Sequence, residues 1–141
     1  MDYPMPTLVL DFDGVIHDYR EGWKNGEIYG QVTDGFIEWA AEAKKFFRLM
    51  VFSSRSDSHK GIQPMKDWLK LQIISNHWDR DGENKPRLDI DIADFEFPIR
   101  KPAAFVTIDD RALTFRGDWS RFDPKALRET FKPWNVEGGG K

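Results

Sequence analysis

Apolar residues fall along this chain in two rhythms. Short runs with little polar interruption occur at Thr7 to Leu10, at Arg48 to Ser53 and at Ala104 to Ile108. Such runs, rich in Val, Leu, Ile, Phe and Thr, read as buried strands. Between the first two, Phe36, Ala40, Ala43 and Phe47 recur at spacings of four, three and four, the period of one helix face. Thr33 or Asp34 can cap that helix, which is expected to end near Phe47. After the second run, Ile62, Met65 and Leu69 mark a second helix. Pro64 suits its first turn, and Asp57 or Ser58 could cap an earlier start. Asn76 to Arg87 is polar and reads as a connection with a turn at Asp81-Gly82. Leu88 to Ile92 alternates like an exposed strand, and Leu113 to Phe115 reads as a short one. A last helix is expected over Pro124–Phe131, with Asp123 as cap and Pro124 in its first position. Val15 to Val32 follows neither rhythm. It is rich in Gly and aromatics and reads as a hairpin or flap.

Strand–helix–strand–helix–strand order implies a parallel sheet with right-handed crossovers. The expected fold is α/β: a three-layer, doubly wound, mainly parallel sheet. Residues 1–136 form one domain in this reading, and 137–141, Gly-rich, a flexible tail.

Composition narrows the classes. The chain has 141 residues, 40% of them hydrophobic, with 6 Trp and 11 Phe, so a packed core is expected over disorder. A net charge of -3 without a basic run argues against tight, charge-driven nucleic-acid binding. There is no cysteine, which excludes disulfides and thiolate chemistry and leaves oxygen or histidine as metal ligands. No apolar run reaches membrane-spanning length, and the first residues lack the pattern of a signal peptide. A soluble, cytoplasmic protein without membrane partners is expected.

Chemistry-bearing residues cluster at strand ends. Asp11 and Asp13 with Gly14 follow the first strand, and Ser53 closes the second. Lys101 precedes the third, and Asp109-Asp110 follows it. In an open α/β sheet such ends converge where ligands bind. Carboxylates meeting there repel, by on the order of 4 kcal/mol per pair at about 4 Å and an effective dielectric near 20. A divalent cation relieves this, and Mg²⁺ favours carboxylates, water and phosphate oxygens. Lys101 and the Ser53 hydroxyl suit a phosphoryl group.

In this order and placement, Leu10-Asp11-Phe12-Asp13-Gly14-Val15, Val51-Phe52-Ser53-Ser54-Arg55, Lys101-Pro102 and Ile108-Asp109-Asp110-Arg111 resemble the four motifs of the haloacid dehalogenase-like (HAD) phosphohydrolases. The resemblance runs from Thr7 to about Phe115 and implies a Rossmann-like core and Mg²⁺-dependent hydrolysis of phosphomonoesters. It implies Asp11 as nucleophile, forming a phospho-aspartyl intermediate, and Asp13 as general acid and base. Ser53 and Lys101 would hold the phosphoryl oxygens. The metal would be held by Asp11, the Asp13 carbonyl and Asp110, with Asp109 a ligand or an orienter of bound water. The family often has Gly where Asp109 stands, so either aspartate can be the ligand, and Lys85-Pro86 rivals Lys101-Pro102 as third motif.

Ser54, Arg55 and Trp23 are expected to contact substrate, Arg55 competing with a surface role. Trp78 is a further stacking candidate in the polar connection. Trp39 and Trp68 read as packing, and Trp119 and Trp134 as anchors of the C-terminal segment. His17, His59 and His77 lack metal spacing and read as loop or surface residues. A folded cap would need roughly 50 residues or more. Only 39, Gly14 to Phe52, separate the first two motifs, and a helix and strand use much of that. A capless site is expected, covered by the flap with Trp23 or Tyr29 folding over the substrate. The substrate is expected to be a small phosphorylated molecule such as a nucleotide or sugar phosphate, or a nucleic-acid 3′-phosphate. The last follows from a likeness of the Lys101 to Arg111 stretch to the phosphatase domains of polynucleotide kinases. The alternatives are a signalling phosphoacceptor and a non-catalytic binding module on the same fold.

Overall fold

The computed structural model describes residues 4–135. Its sheet has four parallel strands: β1 (Thr7–Leu10), β2 (Arg48–Val51), β3 (Phe95–Glu96) and β4 (Val106–Ile108), in the spatial order β3-β2-β1-β4. β1 is central, and its Leu8, Val9 and Leu10 are all buried, as suits a parallel strand covered on both faces. Leu8 pairs with Leu49 on one side and Val106 on the other, and Leu10 with Val51 and Ile108.

Helix α1 (Phe36–Ala43) joins β1 to β2, and α2 (His59–Gly82) leads from β2 toward β3. Both crossovers step the same way along the sheet, so right-handed connections place both helices on one face. The core agrees: Leu8, Leu10, Leu49 and Val51 pack with Phe36, Ile37, Ala40, Ile62, Met65 and Leu69. Val9 and Met50 alternate to the opposite face. That face lacks the helix layer expected of a three-layer fold: α3 (Pro124–Thr130) buries none of its residues. The chain returns from β3 to β4 through residues 97–105, without a helix. No helix among the described residues is long and apolar enough to cross a membrane.

Several elements differ from the sequence pattern for local reasons. α1 is capped by Gly35, at φ 81°, with no side-chain bond, because the Thr33 hydroxyl donates to Val15 O instead (2.7 Å). The chain leaves the helix after Ala43, yet Phe47 still reaches the core from the turn that follows. α2 begins at His59 after Ser58, which puts Pro64 inside the helix. It continues through the segment read as a polar connection. Core contacts end at Ile73, so the apolar period stops while the helix runs on into solvent. Asn84, left-handed at φ 59°, follows its end. Trp78 is therefore an exposed helix residue and not a loop residue.

Leu88 to Ile92 is not a strand. Ile90 is buried and Leu88 and Ile92 pack on the core, so the alternation is real. However, Asp91 accepts from Ala93 N (2.8 Å) and Asp94 from Asp91 N (2.9 Å), turning the backbone before the edge strand forms at Phe95. β4 is shorter than expected and exposed, being an edge strand with β1 as its neighbour. No strand forms over Leu113 to Phe115. α3 lies nearly as expected, with Asp123 accepting from Ala126 N (2.9 Å). The Gly-rich tail 137–141 lies outside the described residues.

Candidate functional site

Parallel strands deliver their successors to one sheet edge. Asp11 leaves β1, Ser53 follows β2 by two residues, and Asp109 and Asp110 leave β4. Asp11 N donates to Ile108 O (3.0 Å), which carries the ladder to the last residue before the acids. Asp11, Asp109 and Asp110 each present an oxygen within 4.8 Å of the others.

Asp110 is the most constrained of the three. Its side chain is 1% exposed, neither oxygen has a hydrogen-bond partner among the described residues, and the Arg111 Nε stands 3.9 Å away. Gly14 makes this position possible. It turns at φ 86°, and a Cβ there would lie 2.0 Å from Asp110 Oδ2. Asp11 is affected in turn: burial, then the Asp109 charge and the nearby Asp110, push its carboxyl up to about 7. An orphaned buried carboxylate beside an acid that resists ionisation fits a cation-binding set. Three carboxylate oxygens suit Mg²⁺ or a similar hard ion. Both Asp109 and Asp110 belong to the cluster. Asp109 also accepts from Arg111 N (2.8 Å).

A cavity of about 580 Å³ opens beside this cluster. Asp11, Ser53, Ser54, Lys101 and Asp109 all line it. Lys85 lies elsewhere, after α2, in an ion pair with Glu83 (2.6 Å). Ser53 is buried and caps the 3₁₀ turn Ser54–Asp57. Its Oγ accepts from Arg55 N (2.9 Å), and Ser56 Oγ accepts from Ser53 N (3.0 Å).

Asp13, Arg55 and Trp23 are placed differently. Arg55 is 6% exposed and grips Asp13 with two bonds, Nε to Oδ2 (2.8 Å) and Nη2 to Oδ1 (3.1 Å). Its third nitrogen donates to Gly26 O (2.7 Å) in the flap. Arg55 is thus neither a surface charge nor free to meet a substrate in this conformation. Trp23 lies on the guanidinium, 4.9 Å from ring centre to Arg55 Cζ, outside the acidic cavity. Burial acts to raise the Asp13 carboxyl, but bonds from His17 and Arg55 outweigh it and hold it below the usual range.

The sequence pattern missed two residues. His17, read as a loop or surface residue, is fully buried. Its Nδ1 meets Asp13 Oδ1 (2.9 Å), its Nε2 donates to Tyr29 O (2.7 Å), and its backbone bridges Asp13 and Val32 at the base of the flap. Phe12 and Trp68 pack around its ring. The one hint is its position between apolar Ile16 and an aromatic stretch. Gly61 is the second: a Cβ there would lie 1.8 Å from Arg55 O, so only glycine lets α2 approach the Arg55 turn. A lone Gly in a helix start was the available signal.

At the C-terminal end, Trp119 packs at a tilt against Phe115 (4.6 Å between ring centres) and not on the sheet. Trp134 does anchor the chain, donating from Nε1 to Gly14 O (2.7 Å). No protein-family model, curated protein or solved structure matches this chain.

Proposed function

We propose that this protein is a HAD-type, Mg²⁺-dependent phosphomonoester hydrolase with Asp11 as nucleophile. The observation that carries the reading is Asp110. It is a buried carboxylate with no hydrogen-bond partner among the described residues, held against Asp11 and Asp109, and those two line a cavity together with Lys101 and Ser53. The cation would be held by Asp11, Asp109 and Asp110, and when bound it supplies charge neutralisation that lets phosphoryl and carboxylate oxygens approach. An Asp11 oxygen attacks phosphorus as the bond to the ester oxygen breaks. The leaving oxygen takes up a proton from solvent, and water then cleaves the acyl phosphate, giving its proton to Asp13, returning Asp11 and releasing phosphate. Lys101 and the Ser53 hydroxyl offset charge on the phosphoryl oxygens. Asp13, held ionised by Arg55 and His17, suits the base that activates water better than the acid of the first step.

The grip on Asp13 also favours a second reading, a phosphoacceptor whose acyl phosphate turns over slowly. Both oxygens of the carboxylate that would activate water are engaged.

Hydrolysis of 4-nitrophenyl phosphate with Mg²⁺ tests the first reading. Chelation and Asp11→Asn should each abolish it, with the fold retained by circular dichroism. Turnover by Asp11→Asn at the wild-type rate refutes it. Stable incorporation of phosphate from acetyl phosphate without turnover selects the second.

A further inference from the structure

The cavity beside Asp11 is much larger than a phosphoryl group needs. Its volume of about 580 Å³ falls in the range of roughly 300–1,000 Å³ that takes drug-sized ligands. Asp11, Ser53, Ser54 and Asp109 line it at the strand ends, Asp57 from the turn after β2 and Lys101 from the return to β4, while most of the remaining wall is apolar. Val9 lies two residues before Asp11, and Thr107 two before Asp109, so each pair shares a sheet face and is separated by about 7 Å along its strand. Val9 and Thr107 are register partners and both line the cavity. Phe52, next to Ser53, and Ile99 and Pro102 add apolar wall to the cavity. Ile99 and Pro102 belong to the segment that returns from β3 to β4, in the same stretch as Lys101.

From this arrangement we infer that the site takes phosphomonoesters whose alcohol part is a flat, apolar ring system. The ring packs against Ile99, Pro102 and Phe52 while the phosphoryl group meets Asp11, Ser53 and Lys101. This deepens the hydrolase reading and rests on it for the position of the phosphoryl group. The ring's wall is not the flap. Trp23 is engaged by Arg55 and lies outside the cavity. Lys101 connects charge to shape: it precedes Pro102 in the chain and lines the same cavity as Asp11 and Ser53. A bulky apolar ester gains by shielding this wall from water, and a small ester leaves it wet.

Binding and turnover are read separately. Titration calorimetry with Mg²⁺ compares 1-naphthylmethylphosphonate with methylphosphonate, neither of which can be hydrolysed. The wild-type chain is expected to bind the naphthyl compound at least about tenfold more tightly, the scale of one buried apolar ring fragment. Ile99→Ser should remove that preference by weakening the naphthyl compound, and Ile99→Leu should keep it. Ile99 is half-exposed, so neither change endangers the fold. Equal affinity for the two phosphonates, no binding of either, or a preference that survives Ile99→Ser overturns the inference. In parallel, hydrolysis of 1-naphthyl phosphate and of phosphoserine is measured. Turnover of both without preference for the aryl ester counts against the ring site alone. A binding preference with no turnover of either keeps the ring site and refutes the hydrolase.

Discussion

Arg55→Ala tests how the loop after β1 is held. Arg55 and Asp13 are 6% and 11% exposed, and two of the three donors on the Asp13 carboxylate come from the guanidinium. Removing one partner of a buried pair strands the other charge and costs about 3–5 kcal/mol. Gly26 O loses its donor as well. At about 3–4 °C per kcal/mol for a chain of this size, the melting temperature should fall by about 10–20 °C. Urea unfolding followed by circular dichroism at pH 7 measures the loss directly. Arg55→Lys keeps a charge without the two-pronged geometry and should lie between. In a double-mutant cycle with Asp13→Asn, the two changes together should cost less than their sum by about 2 kcal/mol or more. The pH dependence has a definite sign. Asp13 is held below its usual range, so the folded chain binds fewer protons there than the unfolded chain. The contribution is complete above the unfolded value near ~3.9 and is lost as pH falls through the depressed folded value. A loss under about 1 kcal/mol, the scale of an exposed pair, would refute the reasoning. So would a coupling equally large at pH 7 and in strong acid.

Gly61→Ala should destabilise severely, because the new methyl group meets backbone at Arg55 O, whereas Gly82→Ala, which meets nothing within 4 Å, should be neutral or stabilise by up to about 1 kcal/mol. Parallel urea titrations decide, and equal effects would remove the close approach as the reason for Gly61. Lys101→Ala should lower kcat on phosphomonoesters a hundredfold or more, on the scale of roughly 2.7–4 kcal/mol for a lost charge-stabilising group. Lys85→Ala should leave kcat near wild type, and the reverse pattern would move the phosphoryl-binding lysine to position 85.

The two central strands were legible because β1 and β2 are buried and written in Leu, Val and Met with little interruption. The gathering of Asp11, Ser53 and the acidic pair followed, since parallel strands must share an edge. Features set by contacts between distant residues were not legible. Nothing local distinguishes an Arg that meets substrate from one that grips Asp13 forty-two positions away, and His17 owes its burial to Phe12, Tyr29 and Trp68 together. Helix α2 outruns its apolar period because a helix needs only its own backbone bonds once begun. The strand reading of Leu88 to Ile92 took a real burial pattern for a regular backbone, where Asp91 and Asp94 side chains turn the chain.

The acidic cluster hangs from two strands of unequal standing. Asp11 leaves β1, which has a neighbour on each side, and Asp109 and Asp110 leave β4, an edge strand with exposed side chains. Amide hydrogen exchange resolves such differences: buried central strands open only with the whole fold, and edges open at lower cost. Any ligand that bridges Asp11 to Asp110 therefore acts as a clasp between the first and last thirds of the chain. Its mass-action stabilisation, RT ln(1 + [L]/Kd), is shared by every amide that must open for the clasp to release. Slowed exchange should appear first in β4, an exposed edge strand, and in the segment tied back by Trp134 to Gly14.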